Sequence, residues 1–287
     1  MFMGSGQDKA VLILAVIYNS WKDTVRFVES ISRCFDQDAN LILVDNSENS
    51  PDPSFIDKIH EYDFTTYIKS EKNLGYFQGA RSGLMYYLKY NPVIPKWIII
   101  CNVDIIFDTR LFMNKLKSRE NIHDLGVIAP AVISDKWKTD YNPFRMERIP
   151  LKKLIFYRVI YSNFLIHNGY ILLHYLKKFI LKTWHMITGN RISAVSRSEN
   201  IYAPHGSCII FNKNYFEKGG TLDHPTFLFG EEIFVGETAG RLGLKILYLP
   251  EIKVLHYEHS TVGNFISRRI NKYYKQSIED MINNFYQ

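Results

Sequence analysis

The chain predicts an α/β fold, a mostly parallel sheet flanked by helices, and three observations predict it. Short apolar segments recur through the first half, at Val11 to Ile17, Leu41 to Val44, Thr65 to Ile68 and Trp97 to Ile100, each followed by a polar step or a helical pattern. Between them run segments with apolar residues at helical spacing: Val25, Val28 and Ile31 within Thr24 to Cys34, and Leu84, Met85 and Leu88 within Phe77 to Tyr90. With 287 residues, 46% of them hydrophobic, the chain buries a full core as one large domain or one domain with an appendage. Strands that alternate with helices join by right-handed crossovers and lie parallel.

Each element has its own signal. The first, second and fourth strands are short apolar runs, the fourth reading as a buried strand. They end at Ile17-Tyr18-Asn19, at Val44-Asp45-Asn46-Ser47 and at Asn102-Val103-Asp104. The third strand leads into Asn73-Leu74-Gly75-Tyr76-Phe77-Gln78-Gly79, whose glycines permit a tight turn and whose helix start offers free N–H groups to a phosphate. Gly126 to Ile133, Ser207 to Phe211, Leu244 to Pro250 and Lys253 to His256 are further strand candidates; Ile233 to Arg241 and Asn264 to Tyr286 are expected helices. This divides the chain into a first half, 1–145, an insertion, 146–198, a second half, 199–263, and a C-terminal helix, 264–287.

The net charge of +6 is unevenly spread. No Asp or Glu occurs from Arg148 to Arg197, while nine Lys and Arg do, Lys152, Lys153, Arg158, Lys177, Lys178 and Lys182 among them; the rest of the chain is mildly acidic. The basic residues are interleaved with Phe156, Tyr157, Leu165, Leu172, Leu173 and Trp184. Aromatic and aliphatic residues beside lysines suit an interface with anionic head groups, so peripheral attachment to a membrane surface is expected; a helical hairpin packed on the domain is the bland alternative. Arg158, Asn163, His167 and Asn168 interrupt the run and make it a poor spanning helix. No nucleic-acid module accompanies the charge, so nucleic acid is not the expected partner. Cys34, Cys101 and Cys208 are too few and too scattered for a disulfide framework or a structural zinc site. The apolar run Val11 to Tyr18 is too short for a signal-peptide core, and a cytoplasmic location is expected.

The chemistry gathers at strand ends. In an open α/β sheet the carboxyl ends of parallel strands open onto the ligand crevice, and Asp104 stands at such an end. A carboxylate there suits a divalent cation shared with a diphosphate, although an ordinary turn would look the same. The turn after the first strand, Tyr18-Asn19-Ser20-Trp21, lacks the glycine fingerprint of dinucleotide binding.

Taken in order, the Val-Asp-Asn strand end, the Asn-Leu-Gly loop, the Asn-x-Asp step, Phe229-Gly230-Glu231-Glu232, Gly243 to Pro250 and Val254-Leu255-His256-Tyr257 resemble the family-2 glycosyltransferases, especially the rhamnosyltransferase-like enzymes of bacterial surface-polysaccharide assembly. The match covers about 11 to 133 and 203 to 270. The resemblance implies a GT-A fold that binds a nucleotide-diphospho-sugar. It implies that Asp45 contacts the nucleobase, that Asn73 and Gly75 line the nucleotide pocket, and that Asp104 holds Mg²⁺ or Mn²⁺ and the diphosphate, with His256 as a further metal ligand. Asn102 stands where many relatives have an acid, which puts metal affinity in doubt. Arg81 occupies a position where the family often has Asn; it is either a phosphate contact or a solvated helix face.

Glu231-Glu232 replaces the family's usual Glu-Asp pair, and by position Glu232 is the general base toward the acceptor hydroxyl, with Glu231 orienting the acceptor or the helix N-terminus. The pair would also suit the dipole of the helix that follows. The expected reaction is an inverting, single-displacement transfer to a lipid-linked saccharide at the inner face of the cell membrane. The competing expectations are a nucleotidyltransferase, and a catalytically silent sugar-nucleotide-binding or membrane scaffold protein.

Overall fold

The computed structural model describes residues 9–35, 38–107, 111–174, 176, 197–257 and 266–286. The first four strands are β1 (Val11–Ile17), β2 (Ala39–Asp45), β3 (Thr65–Lys69) and β4 (Trp97–Asn102), separated by α1 (Trp21–Phe35), α2 (Pro53–His60) and α3 (Tyr76–Tyr90). After them come β5 (Ile105–Phe107), α4 (Leu111–Lys117), β6 (Leu125–Ser134) and α5 (Leu151–Tyr161). A helix over 164–174, α6, follows α5. The chain continues through β7 (Glu199–Ile201), β8 (Cys208–Asn212), α7 (Lys213–Glu217), α8 (Glu231–Arg241), β9 (Lys245–His256) and α9 (Arg268–Phe285).

All nine strands form one sheet in the order β3-β2-β1-β4-β8-β6-β9-β5, with β7 paired to β9. The pairs β1/β2, β1/β4, β2/β3 and β6/β9 are parallel. Strand β8 runs against both neighbours, Cys101 facing Cys208 and Ile128 facing Ile210. The expected α/β sheet is borne out, and its order places the ends of β1, β2 and β4 side by side.

Both faces are covered, which explains the unbroken apolar runs. Successive strand side chains point to opposite faces: Val11, Ile13, Ala15 and Ile17 of β1 join a core with Phe27 and Phe35 of α1, whereas Leu12 and Leu14 join a second core with Phe77 and Leu84 of α3 and Phe234 of α8. Cys34, Cys101 and Cys208 are buried as thiols, without disulfides, and serve packing. A third cluster, Ile149, Leu154, Ala203, Ile233, Ile278 and Met281, seats α5 on α8 and α9. The insertion is thus a helical pair along its described length. Lys177, Lys178, Lys182 and Trp184 lie outside the described residues.

Caps fix the helix starts. Pro53 opens α2 behind Asp52, whose carboxylate accepts from the Ser54 N–H, and Ser267 caps α9 by accepting from Ile270. Helix α8 starts after Phe229 (φ 71°) and Gly230 (φ 90°), both in the left-handed region. A side chain on Gly230 would meet Ser277 and Met281 of α9. This turn is what points Glu231 and Glu232 inward.

Candidate active site

Strand β2 delivers Asp45 to a fully buried position. Its Oδ1 accepts from the Ser47 N–H (2.8 Å) and its Oδ2 from the Tyr67 hydroxyl (2.6 Å) and the Trp21 indole (3.4 Å), with Lys69 Nζ 3.4 Å away. Burial alone would raise the Asp45 pKa; the hydrogen bonds from Ser47, Tyr67 and Trp21 outweigh it and hold the carboxyl below its ordinary value. Next to it, Asn46 donates from Nδ2 to the Gly75 carbonyl (2.8 Å), and the Asn73 side chain accepts from the Gly75 N–H (3.0 Å). Gly75 sits at φ 81°, and a Cβ there would lie 2.0 Å from the Phe227 carbonyl oxygen. Only glycine lets the loop before α3 press against the loop that leads to α8. Gln78 reinforces that seam, donating to Asp223 (2.9 Å) and to the His224 carbonyl (2.7 Å). Arg81 is exposed and pairs with Asp223 at 3.8 Å.

At the end of β4, the Asn102 N–H donates to the Ser207 carbonyl (3.0 Å), so the Asn-Val-Asp step lies against the turn 204–207. Immediately after Asp104, the β5/β9 pairing sets Ile105 opposite His256. That register puts His256 Nε2 3.3 Å from Asp104 Oδ1. Among the described residues no group of three or more His, Cys, Asp or Glu is arranged to hold a metal ion. A cation here would have two protein donors, Asp104 Oδ1 and the His256 Nε2 that lies beside it. Few protein ligands and several from phosphate and water is the ordinary mode for Mg²⁺-type cations, so these residues fit one.

Glu231 and Glu232 occupy the first turn of α8. The Glu231 carboxylate is buried and accepts from the Phe229 N–H (3.1 Å). Burial, and then the charge of Glu232, push its pKa up to about 8. Glu232 is half-buried by surface area, and its pKa is raised by the same desolvation, offset by N–H donors including Gly206 and by the charge of Arg145. Gly206 leaves room for this seat: a Cβ there would come within 2.7 Å of Glu232 Oε1 and push the carboxylate aside. The turn is braced from behind: Tyr274 of α9 stacks on Phe229 at 3.9 Å, and the Phe229 carbonyl accepts from Thr226 Oγ1 (3.0 Å) and faces His224 Nε2 (3.2 Å). Burial keeps His224 neutral, its pKa lowered to about 4.

Tyr76 joins the two sides. Its hydroxyl donates to the Gly206 carbonyl (2.9 Å), and its pKa stands well above the ordinary value, first through burial, with the carboxylates of Glu231 and Asp104 adding to it. His205, stacked on Tyr141 (5.1 Å), lies 6.3 Å from the His256 ring and bonds Ser207 Oγ through Nδ1 (2.8 Å). The turn 204–207 therefore touches the Asn102 backbone, the ring of His256 and the carboxylate of Glu232. Asp104, His256, Glu231 and Glu232 share one neighbourhood, with Asp45, Asn73 and Gly75 at the adjoining strand ends and Arg81 on the outer rim. Sequence reasoning missed Tyr76, His205, Gly206, His224 and Tyr274; the Pro and Gly of Pro204-His205-Gly206-Ser207 are the turn signal that could have flagged two of them. Two cavities of about 300 and 380 Å³ lie elsewhere, around Arg148 and Phe285.

No family model matches the chain. Two proteins of Mycobacterium tuberculosis, from strains CDC 1551 / Oshkosh and ATCC 25618 / H37Rv, each named N-acetylglucosaminyl-diphospho-decaprenol L-rhamnosyltransferase, are 21% identical over 271 residues, spanning 92% of this chain and 81% of theirs. Among solved structures, GalNAc-T7 with UDP, GalNAc and Mn²⁺ superposes with a TM-score of 0.58 at 13% identity, over 96% of this chain and 50% of that one. S. aureus TarS 1-349 superposes with a TM-score of 0.52 at 10% identity, over 86% of this chain and 60% of that one. The chain spans half to three fifths of the length of those structures. The fold is of the GT-A type, and the likeness to family-2, rhamnosyltransferase-like glycosyltransferases read from the sequence is borne out.

Proposed function

We propose that the chain is an inverting glycosyltransferase that moves a sugar, a deoxyhexose such as L-rhamnose first among candidates, from a nucleotide-diphospho-sugar to a lipid-linked saccharide in cell-surface polysaccharide synthesis. The observation that carries this reading is the position of Tyr76, which feels the charges of Asp104 and Glu231 and bonds the same Gly206 that seats Glu232. This supports a reading in which Asp104, as the donor-side carboxylate, and the Glu231–Glu232 pair serve one site, as a displacement at an anomeric carbon requires. The relatives' printed activity and the Mn²⁺ in the GalNAc-T7 structure support the same reading.

Glu232 is the better placed base. Its carboxylate is half-buried beside Gly206, whereas that of Glu231 is spent on the Phe229 N–H and fixes the turn. A glutamate with a raised pKa matches a base that works near neutral pH. Glu232 takes the proton of the acceptor hydroxyl as that oxygen bonds to the anomeric carbon, and the carbon–oxygen bond to the diphosphate breaks on the opposite face. The nucleoside diphosphate leaves with the electron pair. Mg²⁺ or Mn²⁺ held by Asp104 and His256 would neutralise the diphosphate oxygens. Asp45, Ser47 and Lys69 form the floor toward the nucleobase, and Asn73 and Gly75 shape the pocket wall. With a lipid-linked acceptor, the enzyme works as a peripheral protein at the inner face of the cell membrane.

The test is a thermal-shift panel of UDP-, dTDP- and GDP-sugars with and without Mn²⁺, followed by transfer assays with the donor that binds. A donor that raises Tm only with Mn²⁺, together with a transfer activity lost in Glu232→Gln, is expected. Binding of no sugar nucleotide overturns the reading; binding without hydrolysis or transfer leaves a silent binding protein.

A further inference from the structure

Helix α5 is apolar on two sides. Leu154 faces the cluster on α8 and α9, while Phe156 and Val159 point outward, 49% and 58% exposed. Helix α6 repeats the arrangement: His167 is buried, its Nδ1 2.7 Å from Asn271 Oδ1, while Leu165, Ile166, Leu172 and Leu173 are 48 to 66% exposed. A helix with apolar residues all round is normally covered on every side, and a large exposed apolar patch marks an interaction surface. Lys152, Lys153 and Arg158 are exposed among these side chains, and no acid occurs between Glu147 and Glu199 to balance them. Helices of this length, at about 1.5 Å per residue, fall far short of a bilayer core of about 30 Å. Among the described residues no helix is long and apolar enough to cross a membrane.

We propose that the outward face of α5 and α6 is a docking surface for an anionic lipid bilayer, on which the two helices lie flat. The uncompensated positive charge selects a lipid surface over an apolar protein partner, and the apolar side chains enter the acyl boundary while the basic ones meet the head groups. The surface is continuous with the candidate site. Tyr161, at the end of α5, packs on Tyr274 at 5.2 Å, and Tyr274 stacks on Phe229 in the turn that carries Glu231 and Glu232. This deepens the reading of a lipid-linked acceptor by naming the face that meets the lipid, and it rests on that reading only for its purpose.

The full chain is sedimented with phosphatidylcholine vesicles with and without about a third phosphatidylglycerol, alongside the variants Val159→Glu/Leu165→Glu and Lys152→Gln/Lys153→Gln/Arg158→Gln. The wild type is expected to bind the anionic vesicles and to release in high salt. The charge variant should bind roughly fivefold more weakly per charge removed, and the glutamate variant should not bind. Melting curves of both variants check the fold, and the charge variant, altered only at exposed positions, keeps the test intact if the other unfolds. Both should keep the wild-type response to sugar nucleotides, which separates this outcome from a failure of the transferase reading. Wild type that ignores anionic vesicles, or a charge variant that binds as wild type, overturns the proposal. So does lipid-free self-association that the glutamate variant abolishes, since a second copy of the chain would then own the surface.

Discussion

Two parts of the proposed site, the end of β2 and the start of α8, use the same functional group in opposite surroundings. Asp45, at the end of β2, is as buried as any residue in the chain, yet four donors from Trp21, Ser47, Tyr67 and Lys69 surround it and keep it ionised. Glu231, buried, and Glu232, half-buried, at the start of α8 meet mostly backbone N–H groups, and both pKa values rise, that of Glu231 through burial and then the charge of Glu232. Burial alone therefore does not set the role of a carboxylate; the number and charge of its partners do. A fixed anion suits a recognition pocket, and a proton-accepting one suits chemistry near neutral pH.

The sharpest way to break this contrast is Glu232→Gln, which keeps the shape and removes the base. Turnover should fall by about 10² to 10⁴ while the thermal shift induced by donor is retained. Full turnover in that variant would reassign the base, with Glu231→Gln the next variant to assay. On the donor side the matching change is Asp45→Ala. Here the loss is structural: Tyr67, Trp21 and the Ser47 N–H lose their buried acceptor, at about 1–3 kcal/mol for each group left unsatisfied. Urea unfolding should show a lower midpoint, and an unchanged midpoint would mean the carboxylate is not the hub of that network.

The opposite pKa shifts make opposite predictions for stability against pH. For Glu231 the folded pKa lies above the unfolded one, so the native state holds a proton that the unfolded chain has lost. Stability should fall as pH rises from about 4.5 to 8, with a slope of up to about 1.4 kcal/mol per pH unit for one proton. For Asp45 the folded pKa is lowered; its contribution is complete above the unfolded pKa and is lost as pH falls through the folded one. Glu231→Gln should reduce the decline between pH 4.5 and 8, the remainder coming from Glu232, whose pKa is also raised, and leave the acid limb in place. Denaturant midpoints across that range check both statements.

The sheet was legible because two covered faces demand unbroken apolar runs: the first strand is observed at Val11–Ile17, as its run predicts, and the fourth runs two residues past its apolar stretch, to Asn102. The direction of β8 was not, since Cys208 to Asn212 reads the same whichever way its neighbours run. Strands of three residues, β5 and β7, are too short to show a period. In the site, Asp104, Glu231 and Glu232 were visible as acids at element ends. Tyr76 was not, because its role comes from a bond to Gly206, 130 residues away, and no local pattern encodes a contact of that span. Gly206 is a turn glycine by sequence and becomes the seat of Glu232 only in the fold.

Arg81 tests the seam between the two sides most gently. Its guanidinium reaches Asp223 at 3.8 Å with both side chains about half exposed, a geometry that contributes little in water, while the neighbouring Gln78 holds the same loop through two shorter bonds. Arg81→Gln should therefore cost about 0.5 kcal/mol or less, a Tm change of roughly 1–2 °C, and leave the donor-induced shift unaltered. A donor shift that collapses in this variant, most of all at low salt, would place Arg81 on the diphosphate instead of on the rim. The boundary of the donor pocket would then move one helical turn along α3, into the seam that Gly75 and Phe227 close.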